Sequence, residues 1–244
     1  MPPKIDLNAI PPEWRKILEK PDVLKAELAR RSLDDFARTM LQLEPAKHHK
    51  LVNSKLESVA SGDRKRLLIF APPGHAKSTY GSLLYPAWYL GRNPTHNIIL
   101  ATHTQQFSES WGRKIRNLFA VPEWPFTKAK GYKYDVGVSQ DSAAAGQWET
   151  THGGGFFGIG VGGAVTGRRA HGVIIDDPIK GREDADSQTN MDKLWDWWRA
   201  EMRTRLLPNA WIVGYWTRWC EIDPAGRILP EDFNGKSGIY YGRL

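Results

Sequence analysis

The stretch Leu67-Leu68-Ile69-Phe70-Ala71-Pro72-Pro73-Gly74-His75-Ala76-Lys77-Ser78 decides the fold. Four apolar residues run into a Pro-Pro-Gly turn, and Lys-Ser then opens an amphipathic segment, so the spacing predicts a buried strand, a tight loop and a helix. A phosphate-binding P-loop needs that order. Backbone N–H groups at the loop-to-helix junction wrap the phosphates, a lysine neutralises them, and a hydroxyl reaches Mg²⁺. The match to G-x-x-x-x-G-K-[ST] is not literal, because Ala71 and Ala76 stand at the two glycine positions. The alternative is a plain turn with Lys77 as a solvated first-turn residue. That alternative leaves a cation at the end of a helix where the macrodipole disfavours it, and a bound phosphate removes the conflict. The candidate nucleotide-binding residues are Pro73, Gly74, His75, Ala76, Lys77, Ser78 and Thr79.

The 244 residues suffice for one large domain or two small ones. Eighteen consecutive apolar residues occur nowhere, and Met1-Pro2-Pro3-Lys4 does not begin a signal-like apolar run, which predicts a soluble, unsecreted protein with no membrane partner. The single cysteine, Cys220, excludes an intrachain disulfide framework, and the scattered histidines predict no zinc site. A net charge of +7 and a pI near 9.4 point to a polyanionic partner. The basic residues fall into Arg64-Lys65-Arg66, the Lys128, Lys130, Lys133 group, Arg168-Arg169, and Arg199, Arg203, Arg205.

Outward from the loop, residues 1–63 are predicted helical. Ser32-Leu33-Asp34-Asp35 has the form of a capping box with Asp for Glu, and Leu33, Phe36, Met40 and Leu41 then share a face. A second helix is predicted from His48 to Val59. After the loop, a helix should run to about Leu90. Asn97–Thr102 is a short apolar strand, and Phe107, Trp111, Ile115 and Leu118 form the stripe of the helix after it. Residues 121–170, rich in Gly, Thr and aromatics, predict β-hairpins. Alternating strands and helices from Arg66 onward define an α/β domain with a mostly parallel sheet.

A further apolar run, Gly172-Val173-Ile174-Ile175, ends in Asp176-Asp177-Pro178. In an open parallel sheet such acids emerge at the carboxyl ends of the strands, beside the loop, where carboxylates can hold Mg²⁺ and position or deprotonate a water. A helix from Met191 to Leu207 carries Met191, Leu194, Trp195, Trp198 and Met202 on one packing face. A third strand, Ala210–Trp216, ends at Thr217-Arg218, where Thr217 is either a cap or a sensor of the γ-phosphate.

Together these stretches resemble the large terminase subunit of tailed double-stranded DNA phages. The resemblance is carried by Ala71–Ser78, by Trp148-Glu149-Thr150-Thr151 and the glycines after it, and by Gly163–Ala170 leading into Ile175–Pro178. Arg203–Pro208, Thr217-Arg218-Trp219 and Asp223-Pro224-Ala225-Gly226 complete it, over roughly residues 45–230. It implies a P-loop ATPase of the additional-strand class that uses ATP and Mg²⁺ to drive viral DNA into a procapsid. An N-terminal helical lid over residues 1–63 and an ATPase core over 64–244 are expected. The usual nuclease domain is expected to be absent from this chain, and Asp223, Glu231 and Asp232 follow the ATPase strand too closely to be taken as nuclease acids. Implied partners are double-stranded DNA, the portal protein, the small terminase subunit and further copies in a ring, in the host bacterial cytoplasm and transiently at the portal.

Residue by residue, the resemblance gives Lys77 to the β- and γ-phosphates, Ser78 and Asp176 to Mg²⁺, Asp177 to the attacking water and Thr217 to coupling. Asp177 is one methylene shorter than the glutamate of many relatives. The loop offers no arginine, so Arg168, Arg169, Arg182 or Arg218 would reach a neighbouring subunit's site. His49 occupies the expected place of the adenine contact. Two other readings share these motifs: a helicase-like nucleic-acid translocase, and a non-catalytic DNA-binding assembly scaffold with a vestigial nucleotide site.

Overall fold

A computed structural model describes residues 20–165 and 167–229. Residues 1–19 of the predicted helical segment, Thr166, Glu231 and Asp232 lie outside them. Helices α1 (Pro21–Arg31), α2 (Leu33–Leu41) and α3 (Lys47–Ala60) precede strand β1 (Arg66–Phe70). Ser32 caps α2 by accepting from the Asp35 amide. The reciprocal half of the predicted box is not made: Asp35 pairs with Arg38 at 2.7 Å, and Glu57 of α3 accepts from the Leu33 amide instead. Asp is one methylene shorter than the Glu of a true capping box, and the Ser32 amide that such a Glu would accept from donates instead to the Leu28 carbonyl at 3.0 Å.

Seven strands form one sheet in the order β1-β7-β6-β2-β5-β4-β3. Strands β2 (Asn97–Thr102), β5 (Gly155–Gly160), β6 (Ala170–Asp176) and β7 (Leu206–Trp216) run parallel with β1, while β4 (Gln147–Thr150) and β3 (Val138–Ala143) continue antiparallel from β5. The hairpins predicted for 121–170 are therefore present. One of their strands, β5, also pairs with β2 in the parallel body of the sheet. Strand β7 lies between β1 and β6, so the loop strand and the acid-bearing strand are second neighbours.

Alternation in the strands sends side chains to two cores. On one face Ile98, Leu100, Ile174, Val213 and Tyr215 meet Trp88 of α4 (Tyr85–Arg92), α5 (Gln105–Leu118) and α2. Helix α1 is tied into that layer by the Trp88 indole N–H, which donates to the Ala29 carbonyl at 3.0 Å, and by the buried Arg30 guanidinium, which donates to the Pro125 carbonyl at 2.5 Å. On the opposite face Ile99, Val173, Ile175, Ile212 and Trp216 meet Met191, Leu194, Trp197, Trp198 and Met202. Trp197, absent from the predicted tryptophan stripe, is buried here as well, donating from its indole to the Gly163 carbonyl at 3.0 Å.

The helix predicted over 191–207 is shorter. After the short α6 (Arg182–Ala185), α7 (Gln188–Trp197) loosens into a π turn at Trp198–Met202, and Leu206 and Leu207 already belong to β7. Pro208 could not sit inside a regular ladder. It lies in an irregularity where register jumps from Ala170–Leu206 to Gly172–Trp211, with Asn209 at φ 68°. The segment after the loop is also irregular, π-helical over Thr79–Leu84 before α4 begins.

Gly81, in that π-helical segment, permits close approach to the sheet. A Cβ there would lie 2.1 Å from the ring of Tyr215, which is fully buried and has no room to retreat. Gly81→Ala is expected to cost at least about 2 kcal/mol of stability, in the range for overpacking a closed core. Urea denaturation of the two proteins measures it, and a loss under about 0.5 kcal/mol would contradict this packing.

Candidate phosphate-binding site

Beyond Phe70 and Trp216, which pair at the ends of β1 and β7, the chain emerges at the carboxyl edge of the sheet together with Asp176 of β6. The loop from Ala71 to Ala76 carries two left-handed residues, Gly74 at φ 81° and Ala76 at φ 52°. Ala76 thus takes the conformation that glycine supplies at little cost, and the loop keeps its shape despite the substitution.

Lys77 Nζ lies 2.7 Å from Asp177 Oδ2 and 2.8 Å from Thr217 Oγ1, and its side chain is only 9% exposed. Three residues predicted separately therefore meet at one ammonium group. Asp177 also accepts from the Thr217 amide at 2.8 Å, while its own amide donates to the Tyr215 carbonyl at 2.8 Å. This double link to β7 requires a sharp turn. Asp177 makes it at φ 40°, a left-handed conformation that Asp tolerates better than most residues.

Asp176, its neighbour in sequence, has the opposite surroundings. It is fully buried, and its two oxygens accept from Ser78 Oγ at 3.0 Å and Ser82 Oγ at 2.8 Å. Burial pushes its pKa up to about 6, the serine donors opposing and the Asp177 charge adding to the rise. Ser82 was not foreseen. The signal was available, since Ser78 and Ser82 are four residues apart and so share one helical face. A Ser hydroxyl beside a carboxylate short of compensating charge is a hard-oxygen donor set that suits Mg²⁺, which keeps most of its waters and takes few protein ligands.

His49 is brought to the loop. Its Nε2 lies 3.3 Å from the His75 carbonyl, its Nδ1 accepts from the Ala46 amide, and its ring stacks on Tyr80 at 4.4 Å. Tyr80, a second unforeseen member of the site, supplies an aromatic surface next to Thr79. Burial holds the His49 imidazole below its ordinary pKa, with the neighbouring His48 next in effect.

The four candidate arginines do not join this cluster. Arg168 donates to Gln147 at 2.7 Å and covers the Phe157 ring, on strands well removed from β1. Arg218 pairs with the buried Asp223 at 3.0 Å, and Arg182 with Asp186 at 3.0 Å. Arg169 is exposed. Among the described residues no group of three or more His, Cys, Asp or Glu is placed to hold a metal ion, and no helix is long and apolar enough to cross a membrane.

With this geometry in place, comparison with known families is decisive. The model of the N-terminal region of the T4-type large terminase subunit matches residues 68–228, well over half of the chain. The chain belongs to the large terminase family. The matched span begins inside β1 and ends at Ile228, so it takes in the loop, both acids and Thr217. Membership associates the chain with phage DNA packaging, and large terminase subunits are in general ATPases. No curated protein matches it.

The Asp176 environment has a measurable consequence. A carboxyl group whose folded pKa lies above its ordinary value near 3.8 binds its proton more tightly in the native state, so its effect on stability is most favourable at low pH. That contribution declines as pH rises from about 4 through about 6, by roughly 3 kcal/mol for a shift of this size. Asp176→Asn removes the cost. In EDTA the variant should therefore gain on the wild type by about that amount between pH 4 and pH 7.5 in urea denaturation. A stability difference independent of pH would contradict the burial of an ionisable Asp176.

Proposed function

We propose that the chain is the ATPase motor domain of a large terminase, of the additional-strand P-loop class, and that it hydrolyses ATP to move double-stranded DNA into a procapsid. The observation that carries this reading is the meeting of Lys77, Asp177 and Thr217 within hydrogen-bond distance, beside an Asp176 clamped by Ser78. A strand inserted between the loop strand and the acid strand supports the class.

In this reading the amides around Gly74 to Thr79 face the phosphates of ATP, and Lys77 exchanges Asp177 and Thr217 for the β- and γ-phosphates. That exchange frees the Asp177 carboxylate to orient the attacking water and accept its proton. It also frees the Thr217 hydroxyl to respond to the γ-phosphate. Ser78 and Asp176, which meet at 3.0 Å, would hold Mg²⁺. When bound, the ion supplies charge neutralisation at the phosphates. The His49 and Tyr80 rings form an apolar, stacking surface suited to adenine. The helical residues 20–63 act as the lid.

Among the described residues, Lys77 is the cation placed at the site, and the transition state calls for another. An arginine from a neighbouring copy in a ring on the portal would supply it, and such fingers contribute ~10³ to 10⁵ in rate. Arg169 is the preferred donor, because it is exposed and has no side-chain partner among the described residues. The small terminase subunit and the portal protein are the expected further partners. The scaffold reading rests on Ala71, Ala76 and Asp177, but the left-handed Ala76 and the intact ion pair argue against decay of the site. The helicase-like reading would require a second parallel sheet, and the described residues contain one sheet.

Mg²⁺-dependent ATP hydrolysis measured against protein concentration tests this function. Specific activity should climb with concentration. Lys77→Ala and Asp177→Asn should each lower kcat by at least ~10²-fold, the scale of losing a phosphate-neutralising or proton-accepting group. Mixing inactive Lys77→Ala with inactive Arg169→Ala should restore turnover, since one protein retains the finger and the other the loop. Full activity in a monomer would exclude the finger in trans, and no turnover in the assembled packaging complex would exclude the motor.

A further inference from the structure

In α3 and α5 the serine hydroxyls turn back onto their own helix. Ser54, Ser58, Ser108 and Ser110 donate to the carbonyls of Leu51, Lys55, Gln105 and Phe107, each three residues earlier, at 2.8, 2.7, 2.7 and 2.7 Å. That is the local bond a helical serine makes when no stronger acceptor is in reach. Ser82, in the π-helical Thr79–Leu84 segment, behaves differently. Its hydroxyl leaves the helix and donates to Asp176 Oδ2 at 2.8 Å, and both residues are fully buried.

The two hydroxyls on Asp176 are not alike. Ser78, which takes Oδ1 at 3.0 Å, follows Lys77 in the loop and is partly open to solvent, as a group that meets a ligand must be. Ser82 is closed to solvent, so its bond to Oδ2 is not one that an incoming ligand can take over. Its neighbour Gly81 sets this approach, because a Cβ there would meet the ring of Tyr215, the register partner of Asp176 on β7. We propose that Ser82 is a positioning residue of the divalent-cation site: by holding Asp176 Oδ2 it keeps Oδ1 turned toward Ser78, and so sets cation affinity without touching the cation. The inference rests on the reading of Ser78 and Asp176 as the Mg²⁺ residues. A carboxylate tied at one oxygen by a charge-assisted bond presents the other in one direction. Among the described residues no other side chain donates to Oδ2, so loss of the Ser82 hydroxyl would leave that oxygen buried and unpaired, and the group free to turn.

The test uses the full chain carrying one equivalent of ADP, with Mn²⁺ as a paramagnetic stand-in for Mg²⁺ and its binding followed by loss of the free-ion EPR signal. Ser82→Ala should raise the Mn²⁺ Kd at least ~10-fold, the scale on which the partners of metal ligands act. Ser82→Cys, which fills nearly the same space with a weak donor, should do the same, and it carries the test if urea denaturation finds Ser82→Ala unfolded. In Asp176→Asn protein, adding Ser82→Ala should change the Kd by less than about twofold, because the two side chains act as one unit. An unchanged Kd in Ser82→Cys would reduce Ser82 to a packing residue and overturn the proposal. A loss as large in the Asp176→Asn background as in the wild type would overturn it too, since Ser82 would then not act through Asp176. A wild type that binds ADP but no Mn²⁺, or no ADP at all, would overturn the assignment of Ser78 and Asp176 themselves, and the proposal with it.

Discussion

The structure depends on keeping two adjacent carboxylates, Asp176 and Asp177, in opposite environments. Strand alternation alone would send them to opposite faces. At the last rung of β6 the left-handed turn at Asp177 does more, directing its carboxylate across the top of β7 to Lys77 while Asp176 stays beneath the helix that follows the loop. The cost of burying Asp176 is offset in part by two serine hydroxyls. The positive charge that would complete the compensation goes instead to Asp177. Asp176 is therefore a buried carboxyl whose proton is held more tightly than in water, and the two serines oppose that tightening only in part.

The strand order makes this geometry possible. Because β7 separates β1 from β6, Lys77 and Asp177 approach each other across the end of a third strand, and the residue following that strand must lie between them. Thr217 is that residue. Its contact with both groups follows from topology, and a side chain able to donate, accept and fit beneath an ammonium group is what the position demands. The tight approach of Gly81 to Tyr215 serves the same end, because it lowers the serine-bearing face onto Asp176.

Much of this was legible in the sequence because the signals were local. Apolar runs mark β1, β2 and β6 to within two residues, and the Lys-Ser and Asp-Asp pairs name the ends that matter. What was not legible depends on pairing across the sheet. Leu206 and Leu207 continue a helical pattern by sequence, yet β6 takes them into β7 and Pro208 is accommodated only because the register slips there. Ser82 and Tyr80 lie on a segment whose π-helical turn changes which residues face the sheet, so a regular helical count identifies one and not the other. Trp197 is missed for a related reason: Trp195, Trp197 and Trp198 crowd into four residues, more than one stripe can hold, and the π turn at Trp198 widens the buried face.

Strand β7 also connects the two unusual places in the molecule. Thr217, at the ammonium group, follows directly on Trp216, which lines a cavity on the back of the sheet and bears an unpaired indole N–H. Successive strand residues point to opposite faces, so a displacement of the strand end moves both at once. Lys77 holds Thr217 only through a side-chain hydrogen bond, whereas Asp177 holds it through the backbone amide. Any ligand that draws Lys77 away removes the first restraint directly and weakens the second by taking the cation from Asp177. The end of β7 is therefore the element whose restraints depend most on what occupies the loop, and the cavity behind it inherits that dependence through Trp216.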